Sequence, residues 1–375
     1  PLPRRAKFAF HLEQWLGGPL RLIEWAGAIL ITRPIQFLLA RLDPLAQRIE
    51  GTWLKKFLEY TLFPMTLIVT LAIGFHFAES GVTIASLSAL ALLPVVYGLL
   101  FAPLERLLPF SRNWLDGEND LSVDLMMFFS GALWGGFAKY LLSVVFFVEL
   151  VYWLEPYGHS IWPTALPGVA QVFLFLLIKD FFRYWFHRWL HEVPFLWRFH
   201  AVHHSSDRLY WLNGVRSHPV EVIAPTLIWS IPLALVQPPA EIVMVSLLMS
   251  LSIGIFQHAN IKLRLGFWEY IFSIGDNHRY HHYPVKGIGD SNYGGELIVW
   301  DILFGTFHNP RGETPSDKIG IGAYPDYPQT MAGMMLAPFI PNQRVLGGED
   351  GDLDAADRSN LEGLHDRVAP QSSGG

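Results

Sequence analysis

Long apolar stretches recur through the first two thirds of this chain, and they restrict what it can fold into more than any other feature. Runs at 61–78, 84–104, 124–154, 161–178, 222–236 and 240–256 each approach the length that crosses a bilayer. The last two are short and are separated by Gln237, Pro238 and Pro239, so they read as a helical hairpin turning near the far side of a membrane. The run at 124–154 is too long for a single crossing and holds Lys139 close to Gly135 and Gly136, so a broken helix or two shorter ones are expected there. Residues 16–42 are apolar but carry Arg21, Glu24 and Arg33, which fits an amphipathic helix lying in the interface better than a span. Composition agrees. Charged residues make up only 16% of the chain, below the usual share of about a quarter.

Charge placement predicts an orientation. The connections near 79–83, 155–160 and 237–239 contain no Lys or Arg. Those on the other side hold Arg48, Lys55, Lys56, Arg106, Arg112, Arg198, Arg208, Arg216, Lys262 and Arg264, which the positive-inside rule assigns to the cytoplasm. The net charge of −6 misleads, because seven acids and two arginines fall between Glu349 and the end. That Gly-, Ser- and Asp-rich stretch, from about 345, reads as a disordered acidic tail. The remainder is close to neutral, so nucleic acid is not an expected partner, and no cleavable signal peptide is evident. The expected organisation is an interfacial region at 1–60, transmembrane helices at 61–160, a catalytic unit at 161–310 and a C-terminal extension at 311–375.

The chain has no cysteine, which excludes disulfides, thiolate zinc sites and iron–sulfur clusters. A metal must then be held by histidine and carboxylate. Ten of the 15 histidines fall between His187 and His282, in three spaced groups and two single additions. The groups are His187 with His191, His200 with His203 and His204, and His278 with His281 and His282. Positions i, i+3 and i+4 share a helix face, so each group aims its imidazoles at one locus. His218 and His258 stand alone. So many imidazoles exceed the about four to six ligands of one ion and suit two. Imidazole ligands do not by themselves distinguish zinc, copper, iron and nickel, and a structural double-zinc site stays open on spacing alone. In Arg216-Ser-His218-Pro219-Val-Glu221, His218 is either a ligand or the hydrogen-bond partner of Glu221.

Supporting residues follow from spacing. Asp180 shares a helical stripe with His187 and His191, so it either receives a ligand ring N–H or forms a salt bridge with Lys179, Arg183 or Arg188. Asp276 and Asn277 either cap the third group's helix or support the metal. Glu221 and Asp301 are similar candidates, whereas Arg198 and Arg279 are expected to face solvent or headgroups. Trp185, Phe186, Tyr210 and Trp211 either line the mouth of a cage or anchor the interface.

These segments resemble the fatty acid hydroxylase/sterol desaturase superfamily over about 179–308. The resembling stretches run from Lys179-Asp-Phe-Phe-Arg through His191, then Trp197-Arg-Phe-His200 through His204, Arg216-Ser-His218-Pro219-Val-Glu221, Phe256-Gln-His258-Ala-Asn260, Asn277-His278 through His282, Asn292-Tyr-Gly and Trp300-Asp301 through Thr306. The resemblance implies an all-α integral membrane protein with about 4–6 transmembrane helices and a cytosolic helical cap holding a dinuclear site. It implies two Fe ions, with zinc a competing assignment, and O2-dependent hydroxylation or desaturation of a membrane lipid such as a sterol, fatty acyl chain, ether lipid or amino-lipid. His187, His191, His200, His203, His204, His278, His281 and His282 would be ligands, joined by His258 and, in some members, by the histidine equivalent to His218. Electrons would come from a separate ferredoxin or b-type cytochrome with its reductase. Two other classes are a zinc-dependent membrane hydrolase, for which no HExxH is present, and a metal-binding transporter, for which Lys139 is almost the only ionisable residue inside a span.

Overall fold

The computed structural model of the chain describes residues 17–79, 84–117, 120–141, 161–285, 287–321 and 327–340, so the expected acidic tail lies outside the described residues. It is built from helices, with no strand beyond two isolated bridges among those residues. A helical run, α1 (Gly17–Ile49), contains a π turn at Ala28–Thr32. Then come α2 (Trp53–Glu79), α3 (Ile84–Leu107), α4 (Asp120–Leu141) and α5 (Gly168–Glu192). The remaining helices are α6 (Pro194–His204), α7 (Pro219–Val236), α8 (Ala240–His258), α9 (Asp276–His281), α10 (Val299–Phe304) and α11 (Met331–Leu336). By length and composition, five helices among the described residues can cross a membrane: Gly17–Ile49, Trp53–Glu79, Asp120–Ala138, Pro219–Val236 and Ala240–His258. Large apolar side chains on them face outward, Leu30, Ile68, Phe129 and Leu133 among them. An exposed apolar surface of this kind is matched to lipid.

The hairpin holds and three other readings meet differences, the first being that Gly17–Ile49, expected to lie in the interface, is long and apolar enough to cross. The hairpin forms as read: α7 ends at Gln237, whose φ of 52° reverses the chain, and Pro239 caps α8. The apolar run at 161–178 is helical only from Gly168, because Pro163 and Pro167 hold 161–167 out of the helix. Gln171 closes that end, accepting from Trp162 Nε1 at 2.8 Å and donating to the Leu166 carbonyl at 2.8 Å. In the long run at 124–154, α4 passes through Gly135 and Gly136 without a break, and residues 142–160 lie outside the described residues.

Helices α2, α8, α5, α7 and α4 pack in that order side by side. The core between α2 and α8 is aromatic, with Phe63 set edge-on to both Phe256 and Phe272 at 5.2 Å. Deeper in the bundle, Thr70, Tyr97 and Ser252 close a ring of hydroxyls at 2.7–2.9 Å, tying α2, α3 and α8 together. At one end of the bundle the charged ends of several segments meet. Arg106 reaches Asp43 and Asp116, Lys55 reaches Glu50, and Arg264 reaches Glu59. The last turn of α8, with His258, emerges at this same end, where the Asn260 amide hydrogen-bonds Ser111.

Candidate metal centre

Each histidine group is helical, so its members share a face as their spacing predicts. His187 and His191 lie on the last turns of α5, and His200, His203 and His204 on the end of α6. His258 is the final residue of α8, and His278 and His281 lie on α9 with His282 capping it. The short connection between α5 and α6 folds the first group back on the second. The result is two sets of converging ring nitrogens, each within 4.8 Å of one another. One set is His187, His191, His200, His204 and His281; the other is His203, His258, His278 and His282. The sets abut, with His204 and His282 stacked at 4.4 Å and His200 and His203 stacked at 5.3 Å.

The hydrogen bonds fix which ring nitrogen points inward. His187 Nδ1 donates to the Tyr293 carbonyl at 2.7 Å, and His281 Nδ1 to the Ser291 carbonyl at 2.7 Å. His203 Nδ1 donates to the Arg216 carbonyl at 3.1 Å, and His258 Nδ1 to Asn213 Oδ1 at 3.0 Å. His191 Nδ1 faces Asp290 at 3.1 Å, and His200 Nδ1 makes a short bond to Glu221. A carbonyl only accepts, so the proton sits on Nδ1 and Nε2 carries a lone pair. The lone pairs of His187 Nε2 and His200 Nε2 face each other at 3.0 Å. His204 Nε2 lies 3.1 Å from His200 Nε2, and His278 Nε2 lies 2.9 Å from His258 Nε2. Nε2 of His191 and of His281 is buried with no hydrogen-bond partner. Facing lone pairs in a dry pocket repel unless a cation lies among them. Nitrogens bound at about 2.1 Å and at right angles on one ion stand about 3.0 Å apart, so the donor set fits metal. Burial, reinforced by neighbouring histidines, also holds His200, His204, His281 and His282 well below the ordinary imidazole range, which keeps them in the neutral, ligating form.

His218, expected as a further ligand, joins neither set. Its Nδ1 accepts from the Val220 N–H at 3.2 Å and caps α7, and its ring lies 4.9 Å from Phe199 and 5.9 Å from Phe339. The Pro219 that follows starts the helix, so His218 is held at the cap position. Glu221 consequently serves His200 through its side chain and not His218. Asp180 is a second correction. Its buried carboxylate touches no histidine and instead accepts the backbone N–H groups of Gly295, Glu296 and Leu297 at 2.8–3.0 Å. Asp301 takes Tyr293 and Gly294 N–H from the other side at 2.7 and 2.8 Å. The two acids thus set the 293–297 loop that presents the Tyr293 carbonyl to His187. Gly295 is needed in that loop, since a Cβ there would collide with the Arg183 side chain and the Asp180 carboxylate.

Asn277 also acts by positioning, donating to the Glu269 and Phe272 carbonyls at 2.7 and 3.2 Å and so holding the start of α9. Arg279, expected to face solvent or headgroups, is buried: it bonds Asp276 and the Ala259 and Ile261 carbonyls and lies 4.0 Å above the Phe110 ring. Asp290, Asn213 and three backbone carbonyls were not foreseen as histidine partners. Asp290 lies in a stretch without local pattern, and a carbonyl has no residue identity to read. A cavity of about 270 Å³ opens on His187, His200, His203, His258 and His278. Phe186 and Trp211 are on its wall, whereas Trp185 packs on Phe304 and Tyr210 donates to Asp124.

The fatty acid hydroxylase family model matches residues 172–306, which contain all nine converging histidines. The chain is 35% identical over 233 residues to the ornithine lipid hydroxylase OlsE of Rhizobium tropici, covering 59% of this chain and 67% of that protein. It is 36% identical over 161 residues to alkylglycerol monooxygenase of Homo sapiens, covering 43% of this chain and 32% of the relative. With methylsterol monooxygenase erg25A of Aspergillus fumigatus it shares 27% identity over 193 residues, 46% of this chain and 61% of the relative. The chain therefore spans about a third of the human protein's length and two thirds of the rhizobial one. No solved structure matches it significantly.

Proposed function

We infer the function of this chain from its family: it belongs to the fatty acid hydroxylases. It is a membrane oxidoreductase acting on lipid, and the two sets of imidazoles would hold two iron ions, His187, His191, His200, His204 and His281 one of them and His203, His258, His278 and His282 the other. The single observation that carries this reading is the pair of abutting imidazole sets, ring nitrogens converging, opening onto one cavity. The bound metal pair supplies O2-dependent oxidation of an unactivated C–H bond. In the overall balance, R–H with O2, two electrons and two protons gives R–OH and water; two hydrogens lost from neighbouring carbons give an alkene and two waters. The electrons come from an external ferredoxin or b-type cytochrome with its reductase.

The chain's own residues do the rest. Glu221, Asp290 and the Tyr293, Ser291 and Arg216 carbonyls hold the imidazoles in one tautomer and orientation. Leu251, Gly254, Ile255 and Pro225 form the apolar side of the cavity, exclude water and place a hydrocarbon against the histidine face. The lysines and arginines of the connecting segments lie at the end of the bundle where His258 emerges, which supports a cytoplasmic site.

The test is lipid profiling of cells expressing the wild type or His203→Ala. A lipid that gains an oxygen atom from isotopically heavy O2, or loses two hydrogens, only with the wild type is the expected result. An inserted His203→Ala protein with full turnover contradicts the reading.

A further inference from the structure

A second space lies beside the metal-facing cavity. It is an apolar groove of about 510 Å³ between α1, α3, α4 and the 208–212 segment, walled by residues such as Leu121, Leu125, Phe128 and Leu212. Trp211 is on the wall of both spaces. Its backbone N–H is tied to Glu105 at 2.6 Å, and the tip of its indole rests on α3 at Gly98, where an added Cβ would stand 2.5 Å from Cη2. Two residues further on, the Asn213 side chain accepts from His258, and Gly214 lets the backbone approach that ring, where a Cβ would meet Cδ2 at 3.2 Å. One short segment therefore carries a wall of the groove, a wall of the cavity and the support of a histidine.

The ends of the groove differ. Its apolar wall is aliphatic and aromatic, whereas Arg208 and Trp114 are shared with a larger polar recess of about 980 Å³ that also holds Arg21, Arg33 and Lys318. Apolar groove, polar recess at one end and oxidising site at the other match an amphipathic lipid better than a soluble metabolite.

We propose that the groove holds a hydrocarbon chain of the lipid substrate and that the Trp211 indole, given its place by Gly98, is the gate between that chain and the metal-facing cavity. The proposal rests on the lipid-oxidising reading of the site. It assigns Trp211 and Gly98 a role in substrate selection, since a bulkier residue at position 98 displaces the indole into the passage.

The probe is a phospholipid whose acyl chain carries a diazirine, incorporated with the purified metal-loaded protein into nanodiscs and mapped by mass spectrometry after irradiation. Crosslinks are expected at Leu125, Trp211 and Leu212. They should fall at least about fivefold in Leu125→Trp or, as an independent filling variant, Ala102→Leu, with metal content unchanged. Gly98→Val should keep the Leu125 crosslink but lower kcat/KM for long-chain lipid by about tenfold or more. Crosslinks confined to outward residues such as Ile68, or unaffected by both filling variants, overturn the groove. Unaltered kcat/KM in Gly98→Val overturns the gate. The crosslinking arm needs no turnover, so a wild type that takes up the probe in the groove yet oxidises no lipid refutes the functional reading and leaves the groove standing.

Discussion

Six of the nine converging histidines turn Nδ1 toward an oxygen, and that choice decides what the other nitrogen can do. The partners make the cage as much as the imidazoles do. Glu221 is the sharpest case, because its carboxylate reaches His200 from the first turn of α7. Glu221→Ala should weaken metal binding by about 10–100-fold, the usual cost of losing an outer partner of a ligand histidine. Glu221→Gln, which keeps a carbonyl oxygen, should recover most of it. Competition with a chelator measures both, and equal loss in the two variants would count against the tautomer role. At this scale the converging histidines were legible, because i, i+3 and i+4 spacing is a property of the residues themselves. His218 was not: a histidine before proline reads alike as ligand or cap, and only the position of Val220 N–H separates the two. The carbonyls of Tyr293, Ser291 and Arg216 had no signature at all.

Among the elements, the burden falls on the loop at 293–297, which has no regular structure and is held between two buried acids. Asp180 was legible as important through its place on the stripe with His187, but its partners are backbone groups more than a hundred residues away. Asp180→Ala leaves three buried N–H groups unsatisfied, at about 1–3 kcal/mol each. A fall of several kcal/mol in stability, read by denaturant unfolding in detergent, is expected together with loss of metal. Unchanged stability would remove the loop from this account. The hydroxyl ring predicts a milder effect. Tyr97→Phe leaves Thr70 and Ser252 bonded to each other at 2.9 Å, so the cost should be about 1 kcal/mol in the same assay. A much larger loss would mean Tyr97 packs more critically than its hydrogen bonds indicate. The helices themselves followed from hydropathy, whereas the start of α5 depended on two prolines that a long apolar run obscures.

For the whole molecule, a membrane bundle carries a dry polar centre at the end where its charges collect. Hydropathy and charge placement made that architecture readable, but they do not show which distant segments meet. Burial dominates the histidine chemistry. His203 is held at about 4 against 6.5 for a free imidazole, and His200 and His204 are lowered in the same direction. Between those values the unfolded chain binds protons that the fold refuses, so stability rises with pH there. The metal-free protein should therefore be fully stable above about pH 6.5 and lose stability as pH falls toward 4. Thermal unfolding of chelator-treated protein over that range checks it, and a flat profile would contradict it. Saturating metal should raise stability at every pH where the ligands stay neutral.

The account turns on two metal ions in two separate sets of histidines, and metal analysis by mass spectrometry of purified wild type, His281→Ala and His278→Ala tests this most directly. Two iron ions per chain in the wild type, falling to about one in each variant, is the predicted result. One ion per chain in the wild type, zinc without O2 consumption on reduction, or full occupancy in either variant would contradict it.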